Sequence, residues 1–194
     1  MKNIIYKIIL LPSFLLYIIM LKSNKGYASA FAADIARANS NFFDLMINGY
    51  YRTLYYHRFY NQVKYLKLFL MIDKSFSLPV QQIGEGCCLV HPWRTILNAE
   101  SIGKGLVCFH NVTVGCDDSG NRPIIGNNVV LFTNAMLFGK ITVGDNARIG
   151  AGSVVVHNVP ADSTVIGNPA RLVKIGGQKV NILLSEYTDD YAKQ

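Results

Sequence analysis

Two histidines in the second half of this 194-residue chain have the side-chain chemistry of a general base. A neutral imidazole can take the proton of a hydroxyl near neutral pH, which acyl transfer from a thioester to an alcohol requires. His91 and His110 are nineteen residues apart, and each stands two positions after an apolar residue, Leu89 or Cys108. An isolated surface histidine usually has no chemical role, so the hypothesis depends on whether the fold aligns these two.

A repeat of six residues predicts which fold would do so. Helices have a period of 3.6 residues and strands a period of two, so neither produces this repeat, whereas a coil of very short strands does. The aliphatic positions of the repeat are Ile125, Leu131, Leu137, Val143, Ile149 and Val155. Small or β-branched residues follow four positions after each of them, at Val129, Ala135, Ile141, Ala147, Ser153 and Val159. With a less regular stretch that begins at Ile83, the pattern predicts a mainly β protein with a parallel β-helix over residues 80–173.

The repeat also predicts which side chains share an edge of the coil. Three six-residue segments make one triangular turn, so residues eighteen apart lie above one another at about 4.8 Å. The spacing of His91 and His110 is one turn plus one residue, and we expect the extra residue within 95–102. Thr133 and Ala151 continue the same column, so a groove is expected where the side chains become small.

One interruption of the repeat predicts a loop. Val114 and Ile125 are separated by eleven residues instead of six, and residues 116–123 have the composition of turns. Binding residues concentrate on loops that a rigid scaffold carries. We therefore expect this loop to leave the wall of the coil close to the histidines.

Composition limits the class of protein. Hydrophobic residues make up 51% of the chain and charged residues 16%, which excludes disorder and predicts a substantial core. The net charge of +7 suits an anionic ligand or a membrane surface, whereas no nucleic-acid-binding motif is present. The four cysteines lack metal-ligand spacing, and we predict buried free thiols of a cytoplasmic protein: Cys87, Cys88, Cys108 and Cys116. Adjacent Cys87 and Cys88 are expected to alternate inward and outward on a strand.

Flanking segments complete the predicted domain organisation. Residues 26–79 are expected to form a helical domain, with helices over 28–38, 42–50 and 51–70 and a linker at 75–79. Residues 39–41 (Asn-Ser-Asn) are predicted to form a break and the N-cap before the second of these helices. Residues 174–194 are expected to form a flexible C-terminal tail because they are polar.

The first 25 residues form a separate apolar segment. Residues 4–21 are mostly apolar, but Lys7 and Pro12 interrupt the run and no convincing cleavage site follows. Two alternatives remain: a helix on a membrane surface, or an oligomerisation helix packed against a partner chain. We favour peripheral contact with the cytoplasmic membrane face, because Lys2, Lys22 and Lys25 would complement anionic lipid.

Four segments resemble the hexapeptide-repeat acyltransferases, in particular serine acetyltransferases and related sugar O-acetyltransferases. Residues 83–92 (IGEGCCLVHP) are similar to the turn that carries their catalytic histidine, and residues 111–115 (NVTVG) are similar to the strand that follows. Residues 122–126 (RPIIG) and 165–171 (VIGNPAR) are similar to the return from the loop and to the terminal signature. The resemblance implies a left-handed parallel β-helix.

The resemblance also implies a donor, an assembly and residue roles. The acyl donor would be acetyl-CoA, no metal is expected, and the chain would form a homotrimer with active sites between subunits. His91 would be the catalytic base. The residues that would position the acceptor or the cofactor are His110, Trp93 and Arg122. The residues expected to line acetyl-CoA are Gly115, Thr133, Ala151 and Arg171.

Two departures from the family bear on the acceptor. Serine acetyltransferases carry an aspartate where this chain has Val90, and a second histidine where it has Arg122. Trp93 would offer a stacking surface to a sugar ring, or else it is an oversized inward residue that bulges the coil. We therefore expect transfer to a sugar hydroxyl in cell-surface polysaccharide synthesis. Serine is the alternative, since Arg122 would grip its carboxylate.

A different class of function is a non-catalytic scaffold or a metal-binding trimer. Two histidines are too few for a zinc site, so His91 and His110 would need a third ligand from a neighbouring chain. His157 is the candidate for that ligand. Its position in the repeat places it on another face of the coil, where we expect it to be exposed.

Overall fold

The computed structural model describes residues 2–23, 26–64 and 73–188. Five helices precede the coil within these ranges, which confirms the predicted helical region. Their bounds are α1 Lys2–Lys22, α2 Gly26–Arg37, α3 Phe42–Ile47, α4 Gly49–Arg58 and α5 Tyr60–Val63. The Asn41 side chain accepts a hydrogen bond of 3.0 Å from the backbone N–H of Asp44, so Asn41 is the residue of the predicted segment 39–41 that caps α3.

The predicted helix over 51–70 differs from the structure. The helical turn breaks at Phe59, which separates α4 from the short α5. Phe59 is buried and stacks on Tyr55 with ring centroids 4.4 Å apart, so aromatic packing fixes the position of the break. Residues 65–70 of the prediction lie outside the described residues.

Among the described residues, no single helix is long and apolar enough to cross a membrane. The segments Lys7–Lys22 and Gly26–Arg37 meet the length and composition needed only as a pair that is bent by 114°.

A parallel β-helix follows the helices and confirms the predicted fold class. Its five-stranded sheet contains β1 Phe76–Ser77, β4 Thr95–Leu97, β7 Thr113–Gly115, β10 Met136–Phe138 and β13 Val154–Val155. The four-stranded sheet contains β2 Gln82–Ile83, β5 Ser101–Ile102, β8 Ile124–Ile125 and β11 Thr142–Val143. The seven-stranded sheet contains β3 Cys88–Leu89, β6 Val107–Cys108, β9 Val130–Leu131, β12 Arg148–Ile149, β14 Ser163–Ile166, β15 Arg171–Ile175 and β16 Gln178–Leu183.

The register of the coil agrees with the six-residue repeat. Leu131 pairs with Ile149 and Leu137 pairs with Val155, so the partners are eighteen residues apart. All six aliphatic positions of the repeat are at most 2% exposed. The small or β-branched positions four residues later are also buried. Each complete coil therefore contributes three residues of each kind to the core, one of each from every side of the triangle.

Asparagines turn the corners of the coil. Asn128, Asn146 and Asp162 have positive φ angles of 54°, 60° and 53°. Asn and Asp tolerate this left-handed conformation better than other residues with a side chain, because their polar groups hydrogen-bond locally. Asn146 donates to the Asp162 side chain at 2.8 Å and accepts from Asn128 at 3.2 Å, so the corner carries a ladder of side-chain hydrogen bonds.

The predicted linker at 75–79 contains the first strand of the coil. Phe76 pairs with Thr95 and is 3% exposed. A two-residue strand shows no periodicity of its own, so only its pairing with β4 reveals it.

The start of the predicted flexible tail is ordered. β15 and β16 form an antiparallel hairpin that extends the seven-stranded sheet, and Gly176 and Gly177 have φ angles of 54° and 88° between them. A Gly-Gly pair between two strands suits a tight hairpin because both residues adopt positive φ. The prediction of a flexible tail from residue 174 is thus wrong for residues 174–183, while residues 189–194 lie outside the described ranges.

A buried ion pair joins the helices to the coil. Arg58 donates to both carboxylate oxygens of Asp34 at 2.6 and 3.0 Å, and also to the backbone carbonyls of Ile83 and Gly84. Asp34 in turn accepts from the backbone N–H of Cys87 at 2.8 Å. Burial raises the pKa of the Asp34 carboxyl, and the Arg58 guanidinium opposes that rise. Helix α2, helix α4 and the first coil are therefore held by one polar cluster.

Candidate active site

Three side chains form a column along one corner of the β-helix. Cys108, Leu131 and Ile149 pair successively in the seven-stranded sheet, and His110, Thr133 and Ala151 stand two positions after them. Leu89 pairs with Cys108, so His91 lies at the same corner in the preceding coil. The N–H of Asn111 donates to the Trp93 carbonyl, just as Asn134 donates to His110, so Trp93 and not His91 is in register with His110. The two histidines and Ala151 are exposed, and Thr133 is half-buried. The predicted shared corner is present, but the two histidines are not directly above one another.

The extra residue of the first coil lies elsewhere than predicted. Leu97 pairs with Val114, which is seventeen residues away instead of eighteen. Leu97 lies eight positions after Leu89, and Ile102 lies five positions after Leu97, whereas the repeat would give six each time. Two residues are therefore inserted at the corner after Leu89, and one is lost after Leu97. The expectation of an insertion within 95–102 is corrected, because the pairing places it at 91–95.

The insertion makes the histidine corner bulge outward. His91 and Arg94 have φ angles of 49° and 53°, and Trp93 donates a backbone hydrogen bond of 2.7 Å to the His91 carbonyl. Thr95 occupies the inward position of the corner and is fully buried. Its hydroxyl accepts from the backbone N–H of Val112 at 3.2 Å.

Trp93 points out of the coil and lies against His91. The indole is 55% exposed, and its centroid is 5.4 Å from that of the imidazole at an interplanar angle of 27°. The alternative of an inward tryptophan that bulges the coil is therefore wrong. Within the described ranges, no hydrogen bond holds the His91 ring, so its contact with Trp93 is what orients it.

The helical domain supports the strand that leads to His91. The backbone N–H of Leu89 donates to the Tyr51 hydroxyl at 3.0 Å, and Tyr51 is 3% exposed. Burial raises the pKa of Tyr51, so this hydroxyl stays protonated through the physiological range. The N–H of Val90 donates to the Cys108 carbonyl at 2.8 Å. The backbone just before the corner is thus held by the helical domain at Leu89 and by the next coil at Val90.

An aromatic platform beside the column is absent from the sequence-based prediction. Phe109 and Phe132 stack with centroids 5.3 Å apart, and the Arg148 guanidinium lies 5.0 Å from the centre of the Phe132 ring. Each phenylalanine stands one position before a column residue, His110 or Thr133. Both phenylalanines occupy the outward repeat position directly before a column residue. An aromatic residue repeated at that position is the sequence signal that would have predicted the platform.

The other predicted site residues lie on different edges of this chain. Gly115 ends β7, where an added Cβ would lie 3.0 Å from the Phe138 ring. Arg122 is exposed in the loop before β8. Arg171 begins β15 and donates to the Asn181 side chain at 2.7 Å. The structure therefore places the two histidines at the same corner as Thr133 and Ala151, but not at the corner of Gly115 or Arg122.

The predicted loop at 116–123 is present and is organised by one carboxylate. Asp117 accepts hydrogen bonds of 2.9 Å from the backbone N–H groups of Ser119 and Asn121. The Asn121 side chain also donates to Asp117, and these bonds lower the pKa of the Asp117 carboxyl. The loop that carries Arg122 is therefore a compact turn.

The cysteines are free thiols, but not all of them are buried. Cys87 and Cys108 are buried, and burial raises the pKa of Cys87 to about 12. Cys88 is half-buried because it faces outward on its strand, and Cys116 is exposed because it stands where the chain leaves the wall. The expectation of a buried thiol is corrected for Cys116, whereas Cys87 and Cys88 alternate inward and outward as expected.

The described ranges contain no group of three His, Cys, Asp or Glu side chains that could hold a metal ion. His157 follows β13 and is exposed, as its position in the repeat predicted. It belongs to a different corner from the histidine column.

No family model matches this chain. The serine acetyltransferase of Bacillus pumilus is 34% identical over 135 residues, which is 64% of this chain and 62% of that protein. The serine acetyltransferase of Synechococcus elongatus is 38% identical over 109 residues, covering 54% of this chain and 45% of that protein. The chain thus spans about half of the length of the curated relatives that it matches.

A solved structure extends the similarity to the fold. The crystal structure of Neisseria gonorrhoeae serine acetyltransferase has a TM-score of 0.61 at 29% identity, over 86% of this chain and 72% of that chain. By sequence and by fold, this chain is therefore similar to the serine acetyltransferases among the hexapeptide-repeat acyltransferases.

Proposed function

We propose that this chain is an O-acetyltransferase that moves the acetyl group of acetyl-CoA to the hydroxyl of serine. The observation that carries the proposal is that two exposed histidines, His91 and His110, lie at the same open corner of successive coils. The similarity to serine acetyltransferases supports the reaction and the acceptor. It supports serine better than the polysaccharide acceptor that was expected from the sequence.

His91 is the base in this proposal. Its imidazole takes the proton of the acceptor hydroxyl while the hydroxyl oxygen attacks the thioester carbonyl, so no acyl-enzyme forms. As the tetrahedral intermediate collapses, the carbon–sulfur bond breaks and the thiolate of CoA takes the proton from His91. Trp93 excludes water from one face of the ring, and His110 positions a substrate from the next coil.

The donor is proposed to lie along the small-residue end of the column. Thr133 and Ala151 leave room for the narrow pantetheine arm. The net charge of +7 favours the phosphates of CoA. Gly115 and Arg122 lie on another edge of the chain, so each site is proposed to combine two edges from neighbouring copies in a homotrimer. Arg171, at the far end of the seven-stranded sheet, is proposed to contact the donor.

The second candidate acceptor is a sugar hydroxyl. The exposed indole of Trp93 favours it, because a flat aromatic face beside the base stacks well on a sugar ring. Val90 also lacks the carboxylate that would bind the ammonium group of serine. Arg122 favours serine instead, since a guanidinium grips a carboxylate in a bidentate manner.

An acceptor assay tests the proposal. The purified chain is incubated with acetyl-CoA, and release of the CoA thiol is followed with L-serine, with a panel of nucleotide sugars and without an acceptor. We expect serine to accelerate thiol release above the acceptor-free rate. Acceleration by a sugar alone would identify the second candidate, and no acceleration by any hydroxyl acceptor would contradict the proposed reaction.

A further inference from the structure

Helix α1 packs one of its faces onto the helical domain. Leu10, Ser13 and Tyr17 are 2%, 4% and 6% exposed and lie on the same side of the helix. Tyr17 stacks on Phe42 with centroids 5.3 Å apart, and Phe14 lies 5.2 Å from the same ring. The inner face of α1 is therefore anchored, and the helix is a fixed part of the domain surface.

The outer face of α1 is also apolar. Ile5, Ile8, Leu15 and Ile19 are between 53% and 66% exposed. They recur at intervals of three, seven and four residues, so they lie on one face of the helix. That face is opposite the one formed by the packed residues Leu10, Ser13 and Tyr17. A surface helix of a soluble domain normally carries polar residues on that side. Four large aliphatic side chains in one stripe form an interaction surface, which we call the outer stripe.

The charges of α1 indicate what covers the outer stripe. The helix contains Lys2, Lys7 and Lys22 and has no acidic residue. Lys7 and Lys22 are exposed, Lys22 at the C-terminal end of the helix and Lys7 one position before Ile8. An apolar face flanked by lysines complements a surface that is apolar inside and negatively charged outside. A bilayer that contains anionic lipid has this character.

We propose that the outer stripe of α1 inserts into the headgroup region of an anionic membrane and holds the protein at the cytoplasmic face. The helix lies in the plane of the interface, because its inner face stays packed on the helical domain. Ile8, Leu15 and Ile19 enter the acyl boundary, and Lys7 and Lys22 contact lipid phosphates. This proposal does not depend on the acceptor or on the reaction.

Vesicle sedimentation of the full chain tests the proposal. We expect the protein to sediment with vesicles of phosphatidylcholine mixed with phosphatidylglycerol, and much less with phosphatidylcholine alone. The variant Ile8→Gln/Leu15→Gln/Ile19→Gln should bind the mixed vesicles at least about tenfold more weakly, because it removes the apolar area that inserts. Ile124→Gln, at a 45% exposed position of the coil, is the matched control and should bind normally.

A second variant tests the charges independently of the apolar stripe. Lys7→Gln/Lys22→Gln should weaken binding to the mixed vesicles roughly tenfold and should leave the melting temperature unchanged. The competing explanation is that a second copy of this chain covers the outer stripe. Light scattering of the same proteins detects that association. If the full chain ignores anionic vesicles, or if the triple variant changes the oligomer size and not vesicle binding, the membrane proposal is wrong.

Discussion

At the scale of single residues, the candidate base occupies an unusual backbone conformation. His91 has a φ of 49°, in the left-handed region that few residues with a side chain adopt. The next coils turn the same corner with Asn111 and Asn134, whose φ angles are 58° and 62°. In the first coil Arg94 takes that position with a φ of 53°, and the extra pair, His91 and Pro92, adds a second left-handed residue at the histidine itself. The base is therefore held by the backbone and by the indole.

His91→Asn removes the imidazole while it keeps a residue that tolerates positive φ. We expect kcat to fall at least about a hundredfold with little change in KM for acetyl-CoA, because a general base acts on the chemical step. Steady-state kinetics with the accepted substrate measures both constants. His157→Asn, at an exposed position on another corner, is the control and should keep the native kcat. A near-native kcat for His91→Asn would show that another group is the base.

At the scale of elements, the first coil depends on the helical domain. Arg58 and Asp34 form a pair whose side chains are 5% and 0% exposed, and they reach the backbone of the first coil at Ile83, Gly84 and Cys87. A buried charge is tolerated only with a partner, so neither residue is replaceable alone. The helices are thus a support for the coil that carries His91.

Arg58→Met leaves the Asp34 carboxyl buried without its cation. We expect the free energy of unfolding to fall by about 3–5 kcal/mol, the usual cost of breaking a buried ion pair. Denaturant unfolding measures the loss, and Asp34→Leu added to Arg58→Met should restore part of it.

The matched control for this pair is Lys104→Met. Lys104 and Glu85 form an ion pair of 2.8 Å between the first two coils, but their side chains are 69% and 40% exposed. Solvent screens such a pair, so little stability should be lost. Equal losses for Arg58→Met and Lys104→Met would contradict the role given to the buried pair.

At the scale of the whole molecule, the coil presents apolar side chains to solvent. Ile96 and Met136 are 44% and 38% exposed, and both pair with Thr113 in one outward row of the five-stranded sheet. Val156, 53% exposed, follows the strand that continues the row. A continuous apolar sheet face favours association. The open histidine corner would be enclosed by such a neighbour.

We expect light scattering to give a native mass of three chains. Ile96→Asp/Met136→Asp should shift the mass to that of one chain, because it places carboxylates inside the contact. Gln82→Asp/Ser101→Asp makes the same charge change on the outward row of the four-stranded sheet and should keep the trimer. A single-chain mass for the unaltered protein would exclude an active site shared between copies.

Much of the fold and part of the site follow from the sequence alone. The six-residue repeat determined the inward positions from Ile125 to Val155, since each inward step of a β-helix needs an apolar residue. The same repeat placed His91 and His110 at one corner of successive coils, because the corner depends only on the total length of a coil. An N-cap within residues 39–41 was also predictable, because its hydrogen bond is local.

Only the tertiary structure decided features that depend on pairing or on packing. A first coil of nineteen residues can place its extra residue at any corner, and the pairing of Leu97 with Val114 selected the corner that exposes Trp93. The hairpin after residue 171 needed β14 as a partner before it was recognisable as strands. Helix α1 is apolar on every side, so its sequence could not tell which face is buried. The contacts of Phe14 and Tyr17 with Phe42 made that choice, and they left the outer stripe exposed.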